Sequence, residues 1–308
     1  MIDVSVVVVN WNSKKFLQQC LSSVFKCVKQ VQCEVLVIDN GSFDGAAELI
    51  RTTFPDVHFI QNTANVGFGA ANNICFEKSQ GRYILLLNPD TTLQEDAISP
   101  MVAFLELHPE FGLVGCRIER EDGSVDFNGG RKLPSLWSEI TMRLRLNKLI
   151  PGLPFFSTTL LEHWDHKTSR EVEVFSGACM MLRREAFQQL GGFDPNIFMY
   201  AEDIDLCHRL RKSGWKTWYL GETHIVHLGG KSTSQQGLSM IVEGVRSMKY
   251  YYAKHYGALY AFAYSMLVFV GSFIQLFVQG LAAAFGLKAF SRTYDAHRAI
   301  LKYILARR

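Results

Sequence analysis

Clusters of amide and carboxylate side chains stand where buried apolar runs of the sequence end. They are Asn10-Trp11-Asn12, Asp39-Asn40 and Asn88-Pro89-Asp90, and an acidic pair, Glu202-Asp203, opens a later helical pattern. An apolar run without polar alternation is typical of a strand buried on both faces of a parallel sheet. Ligands of such sheets bind outside the carboxyl ends of the strands. The sequence therefore predicts a ligand site built from these clusters.

The elements that must position these clusters alternate between strands and helices. Predicted strands cover Val4–Val9, Glu34–Ile38, Val57–Gln61 and Tyr83–Leu87, with strand-like segments at Val172–Phe175 and Ala178–Leu182. One helix is predicted to follow Ser13, which suits an N-cap. Further helices are predicted over Gly45–Phe54, Ala70–Ser79 and Glu202–Ser213. This order predicts an α/β fold with a Rossmann-like, doubly wound and mostly parallel sheet.

Composition separates the body of the chain from its C-terminal part. The 308 residues are 48% hydrophobic and 20% charged with only 8 Pro, which excludes a disordered chain. From Leu238 onward there are nine Lys and Arg against two acidic residues, a net charge of +7. Because the whole chain carries +3, the remainder carries −4. This distribution excludes a nucleic-acid-binding domain and favours a soluble domain tethered to an anionic membrane surface.

Cysteine usage and the first residues indicate a reducing compartment. The seven Cys are an odd number without a C-x-x-C pair, which argues against a disulfide framework or a structural zinc site. The segment Met1-Ile2-Asp3 has no basic region like that of a signal peptide. We therefore expect the bulk of the chain to lie in the cytosol.

The segment 256–287 is apolar and has no formally charged residue over 32 positions. As one helix it would be about 48 Å long, against a hydrocarbon core of roughly 30 Å. Basic residues flank both ends. A single span would therefore leave one basic cluster on the non-cytoplasmic side, against the tendency of basic residues to lie in the cytoplasm. We expect a re-entrant hairpin broken near Gly271-Ser272, or helices lying in the interface; a helix pair buried in the soluble core is the alternative.

Two domains follow from these patterns, at 1–235 and 236–308. Within the first, 131–170 contains three Pro residues and is predicted to be an irregular excursion from the sheet, suited to a mobile or membrane-facing lid. It also contains the basic residues Arg143, Arg145 and Lys148 on an otherwise apolar stretch. His163 and His166 have ligand spacing but no third ligand nearby, and we interpret both as surface polar residues.

Five motifs in order, from about residue 3 to 233, resemble the inverting family-2 glycosyltransferases of GT-A fold. They are Val6–Asn12, Val37–Gly45, Asn65-Val66-Gly67, Leu87–Asp90 and Tyr200–Leu206. The Asn-Pro-Asp variant and the closing His227-Leu228-Gly229-Gly230-Lys231-Ser232 look like the rhamnosyltransferase branch. The absence of Gln-x-x-Arg-Trp argues against the processive synthases of that family.

The resemblance implies a nucleotide-sugar site. Asp39 would accept a hydrogen bond from N3–H of uracil or thymine, and Asn10 and Asn12 would contact the base or ribose. The assignment extends to Asn65, Gly67, Asn73, Asn88 and Asp90. For the stretch Asp39-Asn40-Gly41-Ser42 taken alone, an ordinary turn is the alternative.

The resemblance also implies a divalent cation at Asp90, with His227 as a further partner of the metal or of the diphosphate. Mg²⁺ or Mn²⁺ would neutralise the leaving nucleoside diphosphate. Asn88 stands where the family usually has Asp, which removes one charge and leaves strict metal dependence open.

Asp203 would be the base that takes the proton of the acceptor hydroxyl, and Glu202 would orient the acceptor or the base. Simple stabilisation of the helix N-terminus is the alternative for Glu202. Ser176 and Gly177 match a small-residue segment near the acceptor, where backbone approaches a sugar closely.

The expected activity is transfer of one sugar with inversion, L-rhamnose from dTDP-rhamnose onto a polyprenyl-diphosphate-linked glycan of a cell-surface polysaccharide. We expect a monotopic or peripheral enzyme at the cytoplasmic face of the membrane, without nucleic-acid partners and forming a homodimer. A UDP-hexose donor and a non-catalytic sugar-nucleotide-binding scaffold are the alternatives.

Overall fold

The computed structural model describes residues 1–150, 152–229, 237–284 and 291–306, with the side chains of 283, 284, 291 and 292 outside this description. The chain divides into two compact units. Unit 1 comprises Met1–Leu133, Thr159–Phe198 and Glu202–Ser232, and unit 2 comprises Pro134–Thr158, Met199–Ala201 and Thr233–Arg308. The predicted boundary between residues 235 and 236 lies outside the described residues.

Unit 1 is built around one sheet, which has nine strands within the described residues. The strands are β1 (Val4–Asn10), β2 (Cys33–Asp39), β3 (His58–Gln61), β4 (Tyr83–Leu87), β5 (Thr91–Thr92), β6 (Phe111–Glu119), β7 (Arg170–Glu171), β8 (Cys179–Arg183) and β9 (Lys216–His227). They run in the order β3-β2-β1-β4-β8-β6-β9-β5, and β7 pairs with β9. Helices flank the sheet at α1 (Lys14–Cys27), α2 (Ala46–Thr53), α3 (Phe68–Lys78), α4 (Ile98–Leu107), α7 (Arg184–Gln189) and α8 (Glu202–Lys212).

The sheet is mixed rather than mostly parallel. Strands β1 to β4 pair in parallel, as predicted, but β8 runs antiparallel to both β4 and β6. Strands β6 and β9 were not among the predicted strands, and they supply much of this second half. The predicted strand at Val172–Phe175 is reduced to a single bridge between Val174 and Arg131. The α/β class is confirmed, and the antiparallel part is its correction.

The parallel half brings the polar clusters together as predicted. Asn10 is in register with Asp39, and Val8 is in register with Leu87, so three strand ends meet at one edge. The core beneath them consists of apolar side chains from β1, β2, β4 and β8 packed on α1 and α4. Burial of these side chains is the main term that stabilises the sheet.

The first helix begins after Ser13, but another residue supplies the side-chain cap. The Lys14 backbone N–H donates to Oδ2 of Asp44 at 2.7 Å, whereas the Ser13 hydroxyl donates to the Trp11 carbonyl. A carboxylate at this position satisfies an N–H that has no acceptor within the helix. The second polar loop of the sheet edge is thereby attached to the first.

The predicted excursion 131–170 is divided between the two units. Residues 134–158 belong to unit 2 and form α5 (Leu136–Arg143) and α6 (Leu146–Leu149), where Ser135 and Ser138 make a reciprocal cap. In the part that stays in unit 1, His166 is buried, which corrects its interpretation as a surface residue. Its ring lies between Phe127 and Trp164 at centroid distances of 4.5 and 4.1 Å. His163 is exposed, as predicted.

Unit 2 otherwise consists of α9 (Leu238–Tyr256), α10 (Ala258–Ala284) and α11 (Ser291–Leu305). The predicted break near Gly271-Ser272 is wrong, because α10 runs through both residues. One Gly in a helix costs only about 1 kcal/mol relative to Ala, which packing readily offsets. The chain turns instead at Gly257, whose φ of +92° suits Gly. Within the described residues, Ala258–Ala282 is the one helix long and apolar enough to cross a bilayer.

Candidate active site

The predicted base-binding residues form one hydrogen-bonded cluster at the ends of β1 and β2. Asn10 donates from Nδ2 to Oδ2 of Asp39 at 2.8 Å, and Gln61 at the end of β3 donates to Oδ1 at 2.8 Å. The Ser42 backbone N–H donates to the same Oδ1 at 2.7 Å. Three donors therefore fix the buried Asp39 carboxylate. Two of them bind Oδ1 and one binds Oδ2, so Oδ2 keeps acceptor capacity that these bonds leave unused.

Asn10 carries a buried acceptor that has no partner among the described residues. Its Oδ1 makes no hydrogen bond to any described residue, although the side chain is fully buried. A buried amide oxygen without a donor costs free energy, so a ligand or water donor at this atom is expected. Asn12 lies beside it with its φ at +47°, and its Oδ1 accepts from the Phe43 backbone N–H at 3.0 Å.

Asn65 and Gly67 belong to an adjoining network. The Asn65 Oδ1 accepts from the Gly67 backbone N–H at 3.0 Å and from Asn40 Nδ2 at 3.3 Å. Gly67 has φ +91°, and a Cβ there would lie 2.5 Å from the Phe198 carbonyl oxygen. In the structure, Gly67 thus permits close packing against the Phe198 backbone, and Asn65 fixes the turn before α3.

Asn73, which was predicted to contact the nucleotide sugar, makes two hydrogen bonds to the backbone of Phe193. Its Nδ2 donates to the Phe193 carbonyl at 2.9 Å, and its Oδ1 accepts from the Phe193 N–H at 2.8 Å. Both ends of the amide are therefore occupied by one backbone unit. Asn73 ties α3 to the segment that leads toward Glu202-Asp203.

The predicted metal residues meet although they are 137 positions apart. Oδ1 of Asp90 lies 3.1 Å from Nε2 of His227, and Nδ2 of Asn88 lies 3.4 Å from the same nitrogen. The short β5 brings them together, because it pairs with the end of β9 in the register Thr91 to His227. The remainder of the closing motif, Gly230-Lys231-Ser232, lies outside the described residues.

This arrangement can accept a divalent cation only with help from a ligand. The described residues contain no group of three or more His, Cys, Asp and Glu side chains placed to hold a metal ion. One carboxylate and one imidazole nitrogen, with the Asn88 amide beside them, are nevertheless donors that Mn²⁺ and Mg²⁺ accept. Such a small set fits an ion whose remaining positions are filled by diphosphate oxygens and water.

The two acidic residues at the start of α8 have different surroundings. Asp203 forms an ion pair with Arg131, whose Nη2 lies 2.5 Å from Oδ2, and its Oδ1 accepts from the Ile204 N–H at 2.8 Å. Glu202 is buried, and its Oε2 has no hydrogen-bond partner among the described residues. Burial, followed by the neighbouring Asp203 carboxylate, raises the pKa of Glu202 above its ordinary value of 4.5.

The residues predicted to lie near the acceptor adjoin the backbone of Asn88. The Asn88 N–H donates to the Ala178 carbonyl at 3.0 Å, and Ser176 Oγ accepts from the Ala178 N–H at 3.2 Å. A Cβ on Gly177 would lie 3.0 Å from the Phe68 ring, so a larger residue would crowd this turn. The turn at Ser176 and Gly177 therefore sits directly beside the Asn88 backbone.

Arg131 is a residue beside Asp203 that sequence reasoning missed, as it missed Gln61 beside Asp39. Its backbone bonds to Val174, and its side chain reaches Asp203 from 72 positions away. No local motif surrounds it, and the only available signal is its place just before Lys132, where the chain leaves the sheet. We assign Arg131 as a positioning residue for Asp203.

We expect Arg131→Gln to lower kcat about 10- to 100-fold while changing the KM for the donor little. The loss follows because the Asp203 carboxylate would no longer be held in one orientation. Steady-state kinetics of donor and acceptor turnover measure this split. Arg120→Gln, which opens an exposed ion pair with Asp126, is the matched control and should leave both constants unchanged. Equal kinetics for the two variants would remove Arg131 from the site.

Together, the mixed sheet and the strand-end clusters define a GT-A-like glycosyltransferase fold. Residues 5–191 match the model described as glycosyl transferase family 2, and residues 159–229 match that of the N-terminal domain of galactosyltransferase. The first match covers more than half of the chain, which therefore belongs to glycosyl transferase family 2. This confirms the family indicated by the sequence motifs.

Two curated relatives and one solved structure agree with this membership. The N-acetylglucosaminyl-diphospho-decaprenol L-rhamnosyltransferase of Mycobacterium tuberculosis is 31% identical over 76% of this chain and 78% of its own length. The rhamnosyltransferase WbbL of Escherichia coli K12 is 31% identical over 52% of this chain and 60% of its own length. A mannosyltransferase, PcManGT, from Pyrobaculum calidifontis, solved with GDP-Man and Mn²⁺, superposes with a TM-score of 0.59 at 16% identity, covering 98% and 86% of the two chains.

Proposed function

We propose that this chain transfers L-rhamnose from dTDP-rhamnose, with inversion, to N-acetylglucosamine carried on a polyprenyl diphosphate. The observation that carries the proposal is the 31% identity to the decaprenol-linked L-rhamnosyltransferase over three quarters of both chains. The reaction belongs to the synthesis of a cell-surface polysaccharide. We place it at the cytoplasmic face of the membrane, because nucleotide sugars and reduced thiols are cytosolic.

The donor would bind along the edge where β1, β2 and β4 end. Asp39 and the free Oδ1 of Asn10 offer buried acceptors, which suit the N3–H of thymine. Asp90 and His227, with Asn88 beside them, would hold a divalent cation against the diphosphate. When bound, this ion supplies positive charge that stabilises the leaving nucleoside diphosphate.

Asp203 would accept the proton of the acceptor hydroxyl while that oxygen attacks the anomeric carbon. The oxygen–carbon bond forms on the face opposite the leaving diphosphate, whose bond to the anomeric carbon breaks, so the configuration inverts. Arg131 and the Ile204 N–H would keep the carboxylate aimed. Glu202, whose raised pKa favours a bound proton, would donate a hydrogen bond to the acceptor or to Asp203.

A UDP-hexose donor is the second candidate. The match of residues 159–229 to the galactosyltransferase model favours it. Uracil and thymine present the same hydrogen-bonding edge and differ in the 5-methyl group, so the Asp39 cluster serves either base. The sugar, rather than the base, must separate these candidates.

Calorimetry of the purified full chain with dTDP-rhamnose, UDP-galactose and UDP-N-acetylglucosamine, with and without Mn²⁺, tests the donor. The proposal expects metal-aided binding of dTDP-rhamnose, followed by transfer of radiolabelled rhamnose to a lipid-linked acceptor. Binding and transfer of a UDP-hexose would instead establish the second candidate. Binding without any transfer would support the scaffold alternative and contradict the proposed reaction.

A further inference from the structure

The long apolar helix α10 has its large side chains on the outside. Exposed residues recur at steps of three or four along one face, and we call this face the apolar stripe. The stripe consists of Leu259, Phe262, Met266, Val270, Phe273, Phe277 and Leu281, with Ile274 and Val278 beside it. Leu259 is 83% exposed and Phe277 60%, so the stripe has no cover within the described part of unit 2.

The opposite face of α10 packs against the rest of unit 2, and most of its buried residues are small. They are Ala261, Tyr264, Ser265, Val268 and Ser272, and none of the Phe, Leu, Ile or Met side chains of α10 is among them. A helix in a soluble core would present the reverse pattern, with its large apolar residues inward. The distribution therefore excludes the buried helix pair considered from the sequence.

Charged and polar groups contact the middle of α10. Their position argues against a helix that crosses the bilayer and favours one that lies in its surface. At Gly271 an added Cβ would lie 3.3 Å from Nη1 of Arg143, and that arginine pairs with the buried Glu139 on α5. At Ser272, the hydroxyl lies 3.2 Å from Nδ1 of His297 on α11. If α10 crossed a bilayer, these groups would lie near its midplane, where charged side chains are costly.

The charge of unit 2 complements an anionic surface. Its residue ranges contain twelve Lys and Arg against three Asp and Glu, a net +9, which leaves −6 for unit 1. Exposed Arg145 and Lys148 on the α5–α6 segment accompany exposed Leu144 and Leu149. Basic residues beside exposed apolar side chains are the composition of a surface that binds anionic lipid.

We propose that α10 is a monotopic membrane anchor that lies in the plane of the interface, with the apolar stripe buried in one leaflet and the Gly271–Ser272 face toward α5 and α11 of unit 2. The helix from Ala258 to Ala282 is about 37 Å long, so the stripe contacts lipid along that whole length. The inference deepens the proposed function, because a polyprenyl-linked acceptor must be met at a bilayer. Its evidence, however, is the geometry of unit 2 alone.

The depth of three stripe positions in a bilayer tests the orientation. Phe262, Val270 and Phe277 are replaced one at a time by Cys and spin-labelled, in a full chain whose partly exposed Cys27 and Cys33 are Ser. Collision of the label with oxygen and with a water-soluble nickel chelate reports its depth in phosphatidylcholine–phosphatidylglycerol vesicles. An in-plane helix places all three labels at one shallow depth, about 5–10 Å into the headgroup and acyl boundary. A crossing helix places Val270 deepest, roughly 15 Å from either surface, and overturns the proposal.

Vesicle binding of single variants tests the lipid contact itself. We expect Phe277→Glu to weaken binding about 10-fold or more, because a charge replaces a side chain in the acyl region. Leu107→Glu, at an exposed apolar residue on α4 of unit 1, is the matched control and should bind as the parent does. Vesicles without phosphatidylglycerol should bind less, with a loss that grows with salt.

Two further results would also contradict the anchor. The spin labels could be immobilised without vesicles, and the parent chain could be a dimer that Phe277→Glu converts to a monomer. These two results together would show that the stripe contacts a second copy of the chain. Equal vesicle binding by Phe277→Glu and the parent would show that the stripe does not meet lipid. Transfer to a short, water-soluble acceptor is measured in parallel, so failure of the proposed reaction is distinguished from failure of membrane docking.

Discussion

Replacing Asp203 by Asn is expected to reduce sugar transfer by about 10²–10⁴-fold, the range for loss of a positioned general base. The variant keeps an oxygen that can accept from the Ile204 N–H, so the geometry of the helix start is preserved. It removes the basic oxygen that Arg131 holds at 2.5 Å. Single-turnover transfer with radiolabelled donor measures the loss. Donor affinity, measured by calorimetry, should change less than about threefold, because the proposed base does not bind the nucleotide.

Two controls make this result specific. Asp122→Asn changes an exposed carboxylate of unit 1 and should leave transfer unaltered. Adding Arg131→Gln to Asp203→Asn should cost little more than Asp203→Asn alone, because both act through one carboxylate. Additive losses from the two changes would mean that Arg131 acts on something other than Asp203. Retention of full transfer by Asp203→Asn would refute its role as the base.

The parallel half of the sheet and its site could be predicted because local sequence specifies them. Uninterrupted apolar runs define β1, β2 and β4, and the polar residues that end them must share an edge. The hydrogen bonds from Asn10 to Asp39 follow from that register. What the sequence pattern could not specify is the geometry set by distant pairing. The short β5 is only two residues long, yet it delivers His227 to Asp90.

The residues that the sequence analysis missed or assigned wrongly also depend on contacts that local sequence does not specify. Arg131 has no motif of its own, and tertiary packing alone carries its guanidinium to Asp203. Gly271-Ser272 resembled a helix break, but a Gly is tolerated where an Arg143 side chain must approach the helix closely. His166 was interpreted as a surface residue because it lies in an irregular segment without a third metal ligand nearby, whereas stacking between Phe127 and Trp164 buries it. Each case depends on contacts between residues far apart in sequence or on ring packing.

The proposed cation site yields the second large prediction, in which Asp90→Asn and Asn88→Asp should move metal affinity in opposite directions. Asp90 would supply the carboxylate of a donor set that otherwise contains His227 and the Asn88 amide. Its loss should reduce transfer on the order of 100-fold, since an ion that stabilises the leaving diphosphate contributes several kcal/mol. Asn88→Asp adds a second negative charge beside Nε2 of His227 and should tighten Mn²⁺ binding about 10-fold or more.

Electron paramagnetic resonance of free Mn²⁺ measures both affinities without turnover, in the presence of dTDP so that the diphosphate completes the coordination. Asn128→Asp, which adds the same charge at an exposed amide of unit 1, is the matched control and should leave Mn²⁺ affinity unchanged. If Asn88→Asp binds Mn²⁺ no better than the parent while Asp90→Asn still loses transfer, Asp90 acts on the substrate directly. His227 would then serve the diphosphate as a hydrogen-bond donor, and the reaction would proceed by charge stabilisation from the protein alone. Tighter binding by Asn88→Asp would instead show that the Asn-Pro-Asp sequence holds a metal site weakened by one charge and completed by its substrate.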